Sequence, residues 1–138
     1  MTRLADTSAW TNRTKDPSVA RWFDALVEEG AVATCAMVRL ELLRTARDHA
    51  EFVLLRDDLS YLEDVPIDGP VWERAIDVFE ELAARGPLHH RQVKLPDLVI
   101  AAAAEAADLE VVHYDRDFDV IAEVTGQPVR AVAPIGSL

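Results

Sequence analysis

Asp6, Glu41, Asp97 and Asp115 stand far apart in the chain, each at a position where a fold can gather carboxylates. Asp6 closes the short apolar run Leu4-Ala5, and Asp115 ends the run Val111-Val112-His113-Tyr114. Glu41 interrupts an apolar helical stretch among Leu40, Leu42 and Leu43, and Asp97 follows Pro96 at a helix start. Four carboxylates in one cavity repel one another unless a cation lies between them. An all-oxygen donor set suits a hard divalent ion, so the pattern implies such an ion and the chemistry it performs.

Each of these acids also has an ordinary structural role open to it. Asp6, followed by Thr7 and Ser8, is a good helix cap. Glu41 has Arg39 and Arg44 within reach on its own helix. Asp97 suits the positive end of a helix dipole, and Asp115 can cap the helix that follows it. Asp115, Asp117 and Asp119 together spell D-x-D-x-D, which invites a calcium-loop reading. An EF-hand needs glycine at its sixth position and glutamate at its twelfth, and Val120 and Gly126 stand there instead. Asp117 remains close enough to Asp115 to act as a further ligand or to bind a metal-held water, while Asp119 is expected to face solvent or an arginine.

The elements that must position these residues follow from apolar periodicity and punctuation. Residues 2–6 read as an opening strand, and Pro17 starts an amphipathic helix to about Glu29, where Gly30 stops it. A strand over 31–34, helices over 35–46 and 48–60, and a weak strand over 62–66 come next. Asp68 or Gly69 opens a helix with Pro70 in its first turn, and Gly86-Pro87 breaks it. Residues 87–95 read as a loop. The nearly all-apolar helix from about Asp97 to Ala107 belongs in the middle of the fold. A strand over 111–114, a short helix to about Thr125 and a closing strand over 129–133 complete the chain. Strands alternating with helices predict an α/β layered fold with a largely parallel sheet. Sites in such sheets form beyond the carboxyl ends of the strands, where Asp6 and Asp115 fall.

At 138 residues the chain is expected to be one domain with a real core, since half its residues are hydrophobic. Its longest purely apolar run, Leu98 to Ala104, is far too short to cross a bilayer. The N-terminus meets Asp6 before a signal-peptide core can form, so the cytoplasm is the expected location. The lone Cys35 excludes an internal disulfide and any multi-cysteine zinc site, and reads as a small buried residue. Twenty-five acids against 14 bases give a net charge of −11, which disfavours a passive nucleic-acid binder. One stretch runs against that balance. Residues 82–96 carry Arg85, His89, His90, Arg91 and Lys94 with no acid and lead straight to Asp97. Arg85, Arg91 and Lys94 are therefore candidates for gripping backbone phosphates.

Four segments, Asp6-Thr7-Ser8-Ala9-Trp10, Val38-Arg39-Leu40-Glu41-Leu42-Leu43, Pro96-Asp97-Leu98-Val99-Ile100-Ala101-Ala102 and Tyr114-Asp115-Arg116-Asp117-Phe118, resemble the four motifs of PIN-domain ribonucleases. More narrowly, the chain resembles VapC-type toxins of bacterial toxin–antitoxin pairs, over nearly its whole length. The resemblance implies one PIN-like domain over residues 1–138, three-layered, with a mostly parallel five-stranded sheet flanked by helices. It implies an acidic quartet of Asp6, Glu41, Asp97 and Asp115, with Asp117 near it, around Mg2+ or Mn2+. Ser8 matches the hydroxyl residue that supports the first aspartate. His113 departs from the pattern, standing where a threonine is common, and reads as a packed strand residue. The implied activity is hydrolysis of RNA phosphodiester bonds, and the implied partners are a second copy of the chain and a VapB-type antitoxin. Two alternatives remain at this point: a PIN-fold binding module without catalysis, and a Mg2+-binding receiver-like regulatory domain. The receiver fits poorly, because it wants paired acids after its first strand and an aspartate after its third, where this chain has Asp6-Thr7 and Val65-Pro66.

Overall fold

A computed structural model describes residues 1–138. Chain order is β1 (Arg3–Ala5), α1 (Thr7–Asn12), a 3-10 turn (Arg13–Lys15), α2 (Pro17–Glu28), β2 (Val32–Cys35), α3 (Ala36–Leu43) and α4 (His49–Leu59). Then come β3 (Glu63–Val65), α5 (Gly69–Ala84), a 3-10 turn (His89–Gln92), α6 (Leu95–Ala106), β4 (Glu110–His113), α7 (Arg116–Thr125) and β5 (Val129–Ala131). The five strands form one sheet in the order β3-β2-β1-β4-β5, and every neighbouring pair is parallel.

Because side chains alternate across a strand, adjacent residues feed two cores. Ala5, Val32 and Val112 point to one face, where α1 supplies Ala9 and α2 supplies Phe23. Leu4, Ala33 and Val111 point to the other, which takes the apolar sides of α3, α5, α6 and α7. Helix α6 is buried from Asp97 through Ala104, and its alanines let α3, α5 and α7 approach closely. An apolar helix with one buried acid near its start is an expensive arrangement, and that acid, Asp97, is a candidate site residue.

This strand order opens one crevice in the sheet. The order reverses between β1 and β4, so the chain leaves these two neighbours in opposite directions and opens a crevice at their carboxyl ends. Asp6 immediately follows β1, and Asp115 stands two residues beyond β4.

The structure departs from the sequence expectations in a few places. Helix α1 replaces what the sequence presents only as a capped turn. Helix α6 begins two residues earlier than expected, at Leu95, because Pro96 sits where a helix needs no N–H. Helix α3 ends at Leu43 rather than Ala46, and β5 ends at Ala131 rather than 133. No helix is long and apolar enough to cross a membrane.

Candidate metal centre

Three carboxylates converge at the crevice. One oxygen each from Asp97, Asp115 and Asp117 lies within 4.8 Å of the other two. Asp97 projects from the first turn of α6 and is 3% exposed. Asp115 caps α7, its Oδ1 accepting the backbone N–H of Asp117 at 2.9 Å. The cap turns Asp117 inward, where its Oδ2 accepts the backbone N–H of Lys94 at 2.9 Å and ties α7 to the start of α6. Asp119, half-exposed, points to the other side, 3.6 Å from His113 Nε2 rather than to an arginine.

Asp6 and Glu41 lie outside that triangle and extend it as a line of acids. Asp6 is 2% exposed and caps α1: its Oδ2 accepts from the Ser8 N–H at 3.0 Å and from the Ser8 hydroxyl at 2.5 Å. Ser8 Oγ in turn accepts the Tyr114 N–H at 2.9 Å, which links the ends of β1 and β4. Burial raises the Asp6 pKa against the Ser8 hydrogen bonds, and the nearby Glu41 charge adds to the rise. Glu41 itself accepts the Thr7 hydroxyl at 2.9 Å. It pairs with neither Arg39 nor Arg44; Arg39 Nη2 binds Asp64 at 2.7 Å instead. Thr7 is a residue that sequence reasoning missed, although a hydroxyl beside Asp6 was the available signal.

Lys94, expected to face RNA phosphates, lies among the acids. Its Nζ is 2.7 Å from Asp115 Oδ2, 2.9 Å from Asp117 Oδ2 and 3.4 Å from Asp97 Oδ2. Burial pulls the ammonium pKa down, but the hydrogen bonds to Asp115 and Asp117 prevail and hold it well above the ordinary lysine value. Asp97 moves furthest of the acids. Burial, a hydrogen bond with Asp117 and the charge of Asp6 push it up to about 9. For Asp117 the opposite holds: burial is outweighed by hydrogen bonds from Asp97 and from Lys94, and its pKa falls. Without a divalent ion, Asp97 therefore keeps its proton near neutral pH and directs it to Asp117.

These residues fit a hard divalent cation. Asp6 Oδ1 is buried with no hydrogen-bond donor, and Asp97 Oδ2 makes no hydrogen bond either, with only the Lys94 ammonium 3.4 Å away; an ionised carboxylate so placed is costly unless a cation supplies the missing interaction. Every available ligand atom is a carboxylate oxygen, as Mg2+ and Mn2+ prefer. His113 is fully buried and is not in the cluster; its Nδ1 accepts the Asp115 N–H at 3.1 Å and so steadies this corner from behind. Burial lowers the His113 pKa, which keeps the ring neutral and able to accept that bond. Of the other basic candidates, Arg85 donates to the Glu123 carbonyl at 3.3 Å, and Arg91 is exposed on the 3-10 turn before α6.

A family model described as the PIN domain matches residues 3–124. Ribonuclease VapC18 of Mycobacterium tuberculosis is 41% identical over 138 residues, covering 100% of both chains. The chain belongs to the PIN-domain family, in its VapC branch. Ribonuclease VapC51 of Mycobacterium tuberculosis is also 41% identical to this PIN domain, covering 98% of it and 96% of the relative. Among solved structures, VapBC2 from Rickettsia felis bound to a promoter DNA fragment superposes with a TM-score of 0.72 at 18% identity, covering 95% of this chain and 98% of that one. The DNA-bound VapBC of Salmonella typhimurium does so with a TM-score of 0.69 at 20% identity, over 96% and 100% of the two chains. The fold is thus shared at low identity, and the receiver-like alternative is set aside.

Proposed function

We propose that this PIN domain is a metal-dependent endoribonuclease, the toxin of a toxin–antitoxin pair, hydrolysing RNA phosphodiester bonds. The observation that carries the proposal is the convergence of Asp97, Asp115 and Asp117 at the crevice between β1 and β4, beside Asp6, with Asp6 Oδ1 and Asp97 Oδ2 buried and making no hydrogen bond. The VapC relatives, named as ribonucleases and aligned over the whole chain, support the same activity.

Asp6, Asp97, Asp115 and Asp117 would hold the ion, Mg2+ or Mn2+, with Glu41 contributing directly or through water. When bound, the ion supplies a water of lowered pKa and relieves charge at the reacting phosphate. A divalent ion on Asp97 would favour its ionised form and release its proton to solvent. Ser8 and Thr7 keep Asp6 and Glu41 in place, so the site needs little reorganisation when substrate arrives. Arg91 and Arg85 supply positive charge where an RNA backbone approaches an otherwise acidic protein.

A VapB-type antitoxin is the proposed partner, in line with the VapBC assemblies among the solved structures. A net charge of −11 favours a basic inhibitory segment that reaches the acid cluster. A second copy of the chain is proposed to cover the apolar groove of α5 and α6, where Trp72, Ile76 and Leu95 are exposed. The cytoplasm, where RNA substrate and antitoxin are made, is the proposed site of action.

The decisive experiment sequences the RNA ends produced by purified protein with Mg2+, beside Asp6→Asn and Asp97→Asn. Cleavage that needs the ion and vanishes in both variants is expected. Cleavage that survives both substitutions would sink the assignment, and binding without cleavage would leave a binding module.

A further inference from the structure

We propose that Lys94 is an in-chain competitor for the metal: its ammonium occupies the cation position of the acid cluster, and a divalent ion binds there only by displacing it. The proposal rests on the metal-centre reading above and concerns how that centre is loaded.

The geometry is specific. Lys94 Nζ donates to Asp115 Oδ2 at 2.7 Å and to Asp117 Oδ2 at 2.9 Å, and stands 3.4 Å from Asp97 Oδ2 without a hydrogen bond to it. Those residues offer ligand atoms within 4.8 Å of one another, so the position they surround is the one a shared metal would take. Mg2+ takes oxygen ligands at about 2.1 Å, which leaves no room for an ammonium on the same oxygens. Two cations so close also repel by several kcal/mol even at an effective dielectric constant of about 20. Occupancy by Lys94 and by metal is mutually exclusive.

Displacement is mechanically easy. The Lys94 side chain is 62% exposed and hangs on a flexible four-carbon stem. Its backbone N–H stays fixed on Asp117 Oδ2 at 2.9 Å, so rotation about side-chain bonds alone releases the ammonium and α6 keeps its place. Two consequences follow. The empty cluster is not left as bare repelling carboxylates, so the fold survives without metal. Metal binding, in turn, is weakened by the cost of breaking the Lys94 contacts, and it frees a cation at the mouth of the site.

The test titrates Mn2+ alone, without RNA, into metal-stripped full-length protein by calorimetry, and records thermal unfolding of each sample. Wild type, Lys94→Gln, Lys94→Arg and Asp97→Asn are compared. Lys94→Gln is expected to bind Mn2+ about tenfold more tightly than wild type, the size of an ordinary coupling between competing ligands. Metal-free Lys94→Gln should unfold at a lower temperature than wild type, with the gap closing at saturating Mn2+. Lys94→Arg keeps the charge and should keep the competition, so it serves if the neutral variant folds poorly. Equal or weaker Mn2+ binding by Lys94→Gln, while wild type binds and Asp97→Asn does not, overturns the proposal and leaves the metal centre standing. Absence of Asp97-dependent Mn2+ binding in every variant overturns the metal centre, and the proposal with it.

Discussion

Thr7 and Glu41, 34 residues apart in the chain, are joined by a hydrogen bond of 2.9 Å from the Thr7 hydroxyl to Glu41 Oε1. The bond fastens α3 to the start of α1, one residue after Asp6, and fixes the outer acid of the site relative to the inner ones. Thr7→Val keeps the shape and removes the donor. Loss of one such bond costs about 1 kcal/mol of stability. The larger effect is expected on catalysis, because an acid released from its position misplaces the reacting water. RNA cleavage should slow by roughly tenfold to a hundredfold. Thr7→Ser should restore the rate, and a comparison of single-turnover rates checks both expectations.

Ser8 carries a different load. Its hydroxyl accepts the Tyr114 N–H and donates to Asp6, so one oxygen holds together the loops that leave β1 and β4. In Ser8→Ala the Tyr114 N–H loses its acceptor in a part-buried place, at a cost of roughly 1–3 kcal/mol. Thermal unfolding of the metal-free variant should therefore fall by several degrees. Cleavage should fall as well, since Asp6 keeps only the Ser8 N–H.

Asp97 works against the fold that presents it. It is a carboxylate inside an apolar helix, among Leu98, Val99 and Ile100, and its pKa is pushed up to about 9. Asp97→Asn removes the ionisable group and keeps a side chain able to donate to Asp117. The metal-free variant is expected to melt several degrees above wild type while losing metal-dependent cleavage, the usual trade between stability and a strained site. An Asp97→Asn protein less stable than wild type without metal would contradict this account of the burial cost.

Much of this arrangement is readable in the sequence, and the unreadable parts have definite causes. Helix α2 announces itself through Val19 and Phe23 at helical spacing and through Gly30, which adopts φ 69° where the chain turns out of the helix. Helix α6 announces itself by its unbroken apolar run. Helix α1 does not, because six residues with one buried side chain, Ala9, carry too little periodicity to register. The ambiguity of Asp117 has a geometric cause. In D-x-D-x-D the inward acid is chosen by which residue caps the helix, and the cap on Asp115 sends Asp117 in and leaves Asp119 half-exposed. Lys94 was readable only as a base in a basic stretch. Its direction is set by Asp115 and Asp117, more than twenty residues later, and no local pattern encodes that meeting.

The pKa of Asp97 also sets a pH dependence. Its unfolded value is 3.8 and its folded value about 9, so between them the folded state holds a proton that the unfolded state has lost. Stability then falls as pH rises across that window, because stability rises with pH only where the unfolded state binds more protons. Asp6, also raised, acts in the same sense. Asp117 is lowered, so its contribution fades only below the ordinary carboxylate range, outside the window. Metal-free protein should thus melt at lower temperature as pH climbs from mildly acidic towards 9. If Asp97 is a ligand as proposed, a divalent ion would require it ionised, so the stabilising effect of Mg2+ should grow over the same range, with protons released on binding. Thermal melts with EDTA or Mg2+ across the window measure both slopes, and Asp97→Asn should flatten the first.

Arg91 offers the cleanest test of how an acidic protein holds RNA. It is exposed on the 3-10 turn His89–Gln92, two residues before Val93 enters the core and shortly before the acid cluster, and no carboxylate pairs with it. Lys94 is engaged by three acids, and Arg85 leans on the Glu123 carbonyl, which leaves Arg91 as the free charge of the three basic candidates. A phosphate contact from Arg91 releases about one counterion, so Arg91→Ala should weaken RNA binding uniformly across sequences and reduce the slope of log affinity against log salt by about one. Binding to an uncleaved RNA analogue, measured at several salt concentrations, separates this from any effect on the chemical step. The thermal midpoint should stay within a degree or so of wild type, since an exposed and unpaired arginine contributes little to stability. Unchanged affinity and slope would remove this turn from the RNA path.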